Sequence, residues 1–274
     1  MSEQNIADHY SQGQLERKIL NALITLGADP EHLDPDQLAT VDEFHIGGRK
    51  ATVELLDQLE LRPALRVLDV GSGLGGTARY LARRHGVEVI GVDLTAEYVE
   101  VATSLTRRGG LAELVQFRQA SATTLPFSDG SFDRVCMLHV GMNIADKAAL
   151  FAEIRRVLVV GGGLGIYDLM RVGPGEITYP VPWAGSSATS FLMEPQQYRE
   201  LLAQARLPVQ VERDRRGFGI EALHEVRARV ARDGLPALGL HLVMVPDPAL
   251  KIANMLNSLE RAVLAPTEMI CLAQ

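Results

Sequence analysis

Between positions 66 and 169, short apolar runs alternate with longer segments whose apolar residues recur every three to four positions. Short β-branched-rich runs read as strands, and the three-to-four spacing reads as amphipathic helix. The pattern predicts strands at 66–70, 87–93, 114–119, 133–138 and 163–169. Helices at 77–84, 96–108 and 146–158 lie among them. Strands alternating with helices build a mostly parallel sheet covered on both faces. Ahead of this unit, Leu15, Ile19, Leu23 and Leu26 recur at helical spacing, Ile24 widens the stripe, and Gly27 and Pro30 stop the helix. A second helix is expected over 49–59. After the fifth strand, 171–195 is rich in Pro and Gly and holds Trp183, the chain's one tryptophan. This reads as a long crossover near the strand ends, and hence as a lid. A helix at 195–204, a strand at 209–213, a helical stretch at 220–262 broken around 234–248, and a final edge strand at 268–272 complete the pattern. The expected fold is α/β: a doubly wound, mostly parallel, seven-stranded Rossmann-like sheet. An N-terminal helical cap (1–60) precedes a larger domain (61–274) that contains the lid and a C-terminal helical insertion.

Composition narrows the function. The chain has 274 residues, 47% of them hydrophobic, which is enough for one sizeable core. A net charge of -7 argues against a broad electrostatic grip on nucleic acid. Cys136 and Cys271 sit in apolar runs and read as buried, reduced thiols. The opening Met-Ser-Glu-Gln-Asn lacks the basic and apolar regions of a leader, and no run approaches the ~20 apolar residues of a membrane span. A reducing cytoplasm is therefore expected. No Cys/His cluster has metal-ligand spacing, so no metal is expected.

The most informative stretch is 67–76, Val-Leu-Asp-Val-Gly-Ser-Gly-Leu-Gly-Gly. An apolar strand enters a glycine-rich turn, and a helix follows. Such a turn lets a ligand approach the backbone, and the helix start offers free N–H groups. Gly71, Gly73 and Gly76 satisfy the dinucleotide spacing, and Gly71, Gly73 and Gly75 satisfy a second spacing equally well. Two acids discriminate between them. Asp93 ends the second strand, where a carboxylate can accept hydrogen bonds from two ribose hydroxyls. Asp69 stands two residues before the first glycine. That position is unfavourable beside a pyrophosphate and favourable beside an ammonium group. A nicotinamide-dependent oxidoreductase and a non-catalytic cofactor sensor remain the rival readings.

Three further motifs complete a set: Val-Ile-Gly-Val-Asp-Leu at 89–94, Leu-Pro-Phe-Ser-Asp-Gly-Ser-Phe-Asp at 125–133, and Leu-Val-Val-Gly-Gly-Gly-Leu at 158–164. With the glycine turn, this set resembles the class I S-adenosylmethionine-dependent methyltransferases over about 66–170. The resemblance is to the branch of quinone C-methyltransferases and sarcosine/dimethylglycine N-methyltransferases. It implies S-adenosylmethionine as cofactor. Gly71, Gly73 and Gly75 would line its methionine and ribose end, and Asp69 would lie near the ammonium. Asp93 would hold the ribose diol, Leu94 would pack on adenine, and Ser121 and Ala122 would meet the adenine edge. The family's usual acid is here Ser121, which weakens an adenine amino contact. His139, past the fourth strand, would face cofactor or acceptor. Tyr10 and 45–48, with His45, would cap the site.

Methyl transfer from a sulfonium mainly needs alignment and a dry cavity, with a base where the acceptor carries a proton. His139 is the first candidate for that base, with Tyr10 and His45 beside it, and Asn143 and Trp183 are candidates for the acceptor pocket. A face of Trp183 could hold a methylated ammonium. The expected acceptor is a small metabolite, first a small amine or amino acid and second a prenylated quinol or similar carbon acceptor. The apolar stretch 235–245 would wall a greasy pocket or form a homodimer face.

Overall fold

The computed structural model describes residues 3–11 and 13–274; Met1 and Ser2, which open the segment read as leaderless, lie outside them. Four helices come first: α1 (Glu3–Tyr10), α2 (Leu15–Thr25), α3 (Ala39–Asp42) and α4 (Gly48–Leu56). Then follow β1 (Arg66–Val70), α5 (Gly76–His85), β2 (Glu88–Asp93), α6 (Ala96–Arg108), β3 (Val115–Gln119) and β4 (Phe132–Leu138). The remainder is α7 (Lys147–Val157), β5 (Leu158–Arg171), α8 (Pro195–Gln204), β6 (Val209–Asp214), α9 (Arg216–Asp233), α10 (Pro248–Glu260) and β7 (Leu264–Leu272). The seven strands form one sheet in the order β3-β2-β1-β4-β5-β7-β6, parallel except that β7 runs antiparallel to β5 and β6.

Both faces of the sheet are buried, which explains the near-continuous apolar character of the central strands. On one face Val67, Val89 and Tyr167 pack with Leu55 and Leu59 from the α4 region and Leu81 of α5. On the other, Leu68, Val70, Val135 and Met137 pack with Phe151 of α7 and Leu202 of α8. The residues following β1 and β4 flank the point where strand order reverses, and a ligand crevice opens outside the strand ends at such a point. A third cluster joins Leu15, Ile19 and Leu23 of α2 to Tyr98, Val101 and Leu105 of α6. Part of the N-terminal segment thus covers the β2–β3 side, whereas α4 belongs to a sheet-covering layer.

Three expectations change. The last strand is longer than 268–272 and is interior, between β5 and β6; the edge belongs to β6. Eight of the nine β7 residues are fully or partly buried, which an edge position would not allow, whereas β6 places Gln210, Glu212 and Asp214 in solvent. β5 begins at Leu158, earlier than expected, because Leu158 already pairs with Phe132 of β4 ahead of a register shift that leads into Arg134–Gly163. Leu26 falls outside the buried stripe: α2 ends at Thr25, and Leu26 at its C-cap is 61% exposed, as Ile24 is at 53%. Both cysteines are buried and free. Among the described residues no helix is long and apolar enough to cross a membrane, and no cluster of His, Cys, Asp and Glu could hold a metal ion.

Candidate active site

A cavity of about 1150 Å³ opens outside the C-terminal ends of β1, β2 and β4. Its floor is the glycine turn. Gly73, at φ +51, faces open space, so nothing of the protein obstructs a ligand lying on its backbone. Gly71 also lines the cavity, and a Cβ there would lie 2.3 Å from Val140 Cγ2. Gly75 does not belong to the wall. It caps α5 at φ +83, with its missing Cβ directed at Phe117, so its role is conformational.

Asp93 lies across from Gly73. Its Oδ2 accepts from Gly73 N–H and its Oδ1 from Thr95 N–H, both at 2.9 Å. Two backbone donors hold the carboxylate at one angle. Burial raises its pKa, against the opposing pull of those N–H groups. Asp69 is buried beside β4, where its Oδ1 accepts from Cys136 Sγ at 3.6 Å. Its Oδ2 has no hydrogen-bond partner among the described residues. Burial lifts the Asp69 carboxyl to about 7. A buried carboxylate atom without a donor on a cavity wall suits a cationic ligand group. The orphaned Asp69 oxygen, the open Gly73 backbone and the clamped Asp93 fit S-adenosylmethionine.

Leu94, Ala120, Ser121, Ala122 and Thr123 extend the wall past β2 and β3. His139 follows β4 in left-handed backbone (φ +55), a conformation that costs a non-glycine residue ~1 kcal/mol or more. Its N–H donates to Tyr167 O at 2.7 Å, which secures the turn. Burial holds the imidazole well below its usual range, with His45 adding to the effect, and its Nε2 has no partner among the described residues. The His139 ring lies 5.9 Å from the His45 ring and 5.1 Å from that of Tyr167, centroid to centroid. His45 precedes α4, and its Nε2 contacts Gly48 O at 3.2 Å and Thr52 Oγ1 at 3.0 Å. Burial pushes its pKa down to about 4.

Tyr10 closes the cavity from α1, and its hydroxyl donates to Asn143 Oδ1 at 2.9 Å. Asn143 Nδ2 in turn donates to Trp183 O at 3.0 Å. Trp183 is buried, lines the cavity and donates from Nε1 to Ser190 Oγ at 3.0 Å. The expected lid residue is therefore tied into the wall. The structure brings Tyr10, Asn143 and Trp183 into one chain of hydrogen bonds, with His139 and His45 on the same cavity. Beyond them the lining includes the apolar Met142, Leu223, Val226, Val243, Met244 and Ile252, with Glu225, Arg227, Arg229 and His241 among the polar residues.

Residues 68–166 match the family described as "Methyltransferase domain". The central unit is a methyltransferase domain. Its relatives include "Methyltransferase GfsG" of Streptomyces halstedii, 34% identical over 170 residues, which are 61% of this chain and 59% of GfsG. The chain thus spans well under two thirds of that relative. Phosphoethanolamine N-methyltransferase 2 of Haemonchus contortus, solved with S-adenosyl-L-methionine, shares the fold at TM-score 0.75 and 19% identity, over 98% of this chain and 60% of that one. Geranyl diphosphate C-methyltransferase from Streptomyces coelicolor A3(2) does so at TM-score 0.70 and 18% identity, over 99% and 97% of the chains.

Several residues that support the walls of this cavity carry no local sequence signal. Arg79 of α5 is buried and donates to Asp42 Oδ2 at 2.6 Å and to Leu74 O at 2.7 Å, locking α3 onto the glycine turn. Glu43 is buried against Arg49, with Nε–Oε1 at 2.6 Å, and accepts from Thr52 Oγ1 at 2.6 Å. Behind the 139–146 loop, Asp168 Oδ2 accepts from Tyr198 OH at 2.7 Å, and Lys147 Nζ donates to Ile144 O at 2.9 Å. Burial raises Asp168 to about 6 and lowers Lys147 to about 8. Ser121, where the family's acid is missing, donates its Oγ to Glu3 of α1. The Arg79–Asp42 and Ser121–Glu3 pairs join positions 37 and 118 residues apart, so only folding reveals them.

Proposed function

We propose that this chain is an S-adenosylmethionine-dependent methyltransferase whose acceptor is a neutral, largely apolar small molecule. The observation that carries the acceptor reading is the state of the carboxylates on the cavity wall. Asp42 is paired with Arg79, Glu43 with Arg49, and Asp93 with two backbone N–H groups. Asp146 and Glu225 are exposed, as is Glu3, which accepts from Ser121 at the rim. Asp69 remains for the cofactor's ammonium, which leaves no buried counter-charge for a second cation. The cavity also exceeds the ~300–1,000 Å³ of a single-ligand pocket, leaving room for an apolar acceptor beside the cofactor.

Bound here, S-adenosylmethionine supplies an activated methyl group on a sulfonium. Asp93 would accept from the ribose diol, Gly71 and Gly73 would support the methionine and ribose end, and Leu94 with Ala122 would flank adenine. His139, neutral at working pH, would accept a hydrogen bond from an acceptor hydroxyl. Tyr10, whose phenol burial keeps protonated, donates to Asn143 and so fixes the loop behind the acceptor. Apolar side chains from the 223–255 region exclude water, so alignment in a dry cavity does most of the work.

Small-amine N-methylation is the second reading. It rests on Trp183, a buried indole on the wall that could face an ammonium. Methyl-labelled S-adenosylmethionine separates the two. Label entering a prenylated quinol or an apolar alcohol supports the leading proposal. Label entering only glycine, sarcosine, dimethylglycine or phosphoethanolamine overturns it in favour of the amine.

A further inference from the structure

The wall after β3 lacks an acid of its own, yet a carboxylate stands there. Glu3, the first residue of α1, lines the cavity 118 positions away from Ser121 in sequence. Its Oε1 accepts from Ser121 Oγ and, at 3.4 Å, from Thr123 Oγ1. The two hydroxyls are themselves 2.8 Å apart, and Thr123 N–H donates to Ser121 Oγ at 3.2 Å. This small network orients the carboxylate at the cavity rim. Both of these contacts fall on Oε1, so the Ser121 and Thr123 hydroxyls leave Oε2 to other donors.

The order of groups along the strand ends gives this carboxylate a partner. Asp69, on β1, faces the methionine end, and Asp93, on the neighbouring β2, faces the ribose. The next strand outward is β3, followed by residues 120–123. A nucleoside laid from β1 to β3 therefore brings its base to Ser121 and Glu3. Adenine presents a 6-amino donor on its outer edge, where a 6-oxo purine presents an acceptor.

We propose that Glu3 is a specificity-determining residue: it accepts a hydrogen bond from the cofactor's adenine 6-amino group, supplying from α1 the acid that the β3 loop lacks. α1 then acts as a strap. Its far end, Tyr10, bonds Asn143 at the acceptor loop, and seven helical steps of about 1.5 Å set Glu3 and Tyr10 roughly 10 Å apart along the rim. A site built to bond an amino group rejects the oxo analogue because the carboxylate then faces a second acceptor.

The inference rests on the proposed cofactor, and its test needs no methyl acceptor. Titration calorimetry would compare S-adenosylhomocysteine with S-inosylhomocysteine on the full chain and on Glu3→Gln. The wild type should prefer the adenosyl ligand by about tenfold or more, the usual worth of one charge-assisted hydrogen bond. In Glu3→Gln the preference should fall to about threefold or less, mostly through weaker adenosyl binding, while the melting temperature without ligand stays within about 2 °C of wild type because the side chain is exposed. Glu3→Ala should behave alike. A preference that survives either substitution, equal weakening of both ligands, or no preference in the wild type overturns the role of Glu3. Failure of both ligands to bind the wild type overturns the cofactor reading with it.

Discussion

Asp69 shows how one residue can trade stability for binding. Burial raises its carboxyl from 3.8 to about 7, so ionising it costs more in the folded chain than in the unfolded one. That cost is absent below about pH 4 and grows as pH rises towards 7. The ligand-free Asp69→Asn protein should therefore melt several degrees above wild type at pH 8 and nearly level with it at pH 4, as scanning calorimetry would read. The same substitution should weaken S-adenosylmethionine binding by about tenfold, since a charged partner is removed. Equal shifts at both pH values would show that the gain is not electrostatic. For Asp93→Ala, thermal stabilisation by S-adenosylmethionine should disappear while the ligand-free protein still folds, because the lost carboxylate bonds backbone at a solvent-facing cavity.

At the scale of elements, the weight falls on two helix contacts. The ion pair between Arg79 of α5 and Asp42 of α3 is buried on both sides. Removing one partner leaves an uncompensated buried charge, a loss of ~3–5 kcal/mol. Urea denaturation of Arg79→Met should show that loss, and a change below 1 kcal/mol would mean that water enters and solvates Asp42. α9 behaves oppositely. Of its 18 residues, Gly219 and Leu223 are its buried positions, and Val226 and Val230 face the cavity. Few core contacts imply a low local opening free energy. Amide exchange over 223–231 should slow when an acceptor binds and change little with cofactor alone. Protection by cofactor alone would place the acceptor elsewhere.

The whole molecule is organised around the reversal of strand order between β1 and β4, which leaves a crevice that no helix fills. One cavity combines polar groups over β1 to β3 with apolar side chains from the C-terminal helices, and the proposed function assigns cofactor and acceptor to these two halves. Filling that apolar half should therefore separate the two functions. Leu223→Trp is expected to raise the acceptor KM by tenfold or more and leave the dissociation constant of S-adenosylhomocysteine within about twofold. Parallel loss of both would show that the halves are not independent.

The strand–turn–helix at 67–85, the acids at 69 and 93, and the 125–133 motif were legible because strand ends, turns and helix starts depend on near neighbours. Residues 66–171 accordingly follow the expected alternation, and most of the residues expected at the cofactor line one cavity. Strand neighbours were not legible: a local pattern records that 269–272 is apolar but not that β6 and β5 flank it. The Glu3–Ser121, Tyr10–Asn143 and Arg79–Asp42 pairs are likewise long-range. By itself the sequence determined the fold class and placed the glycine turn and the acids at 69 and 93 at strand ends, which rest on short-range backbone geometry. Only the tertiary structure decided which face α1 covers and which carboxylates are neutralised by a partner, the observation on which the proposed acceptor rests. Charge pairing and burial are properties of segments brought together, and no single stretch of chain carries them.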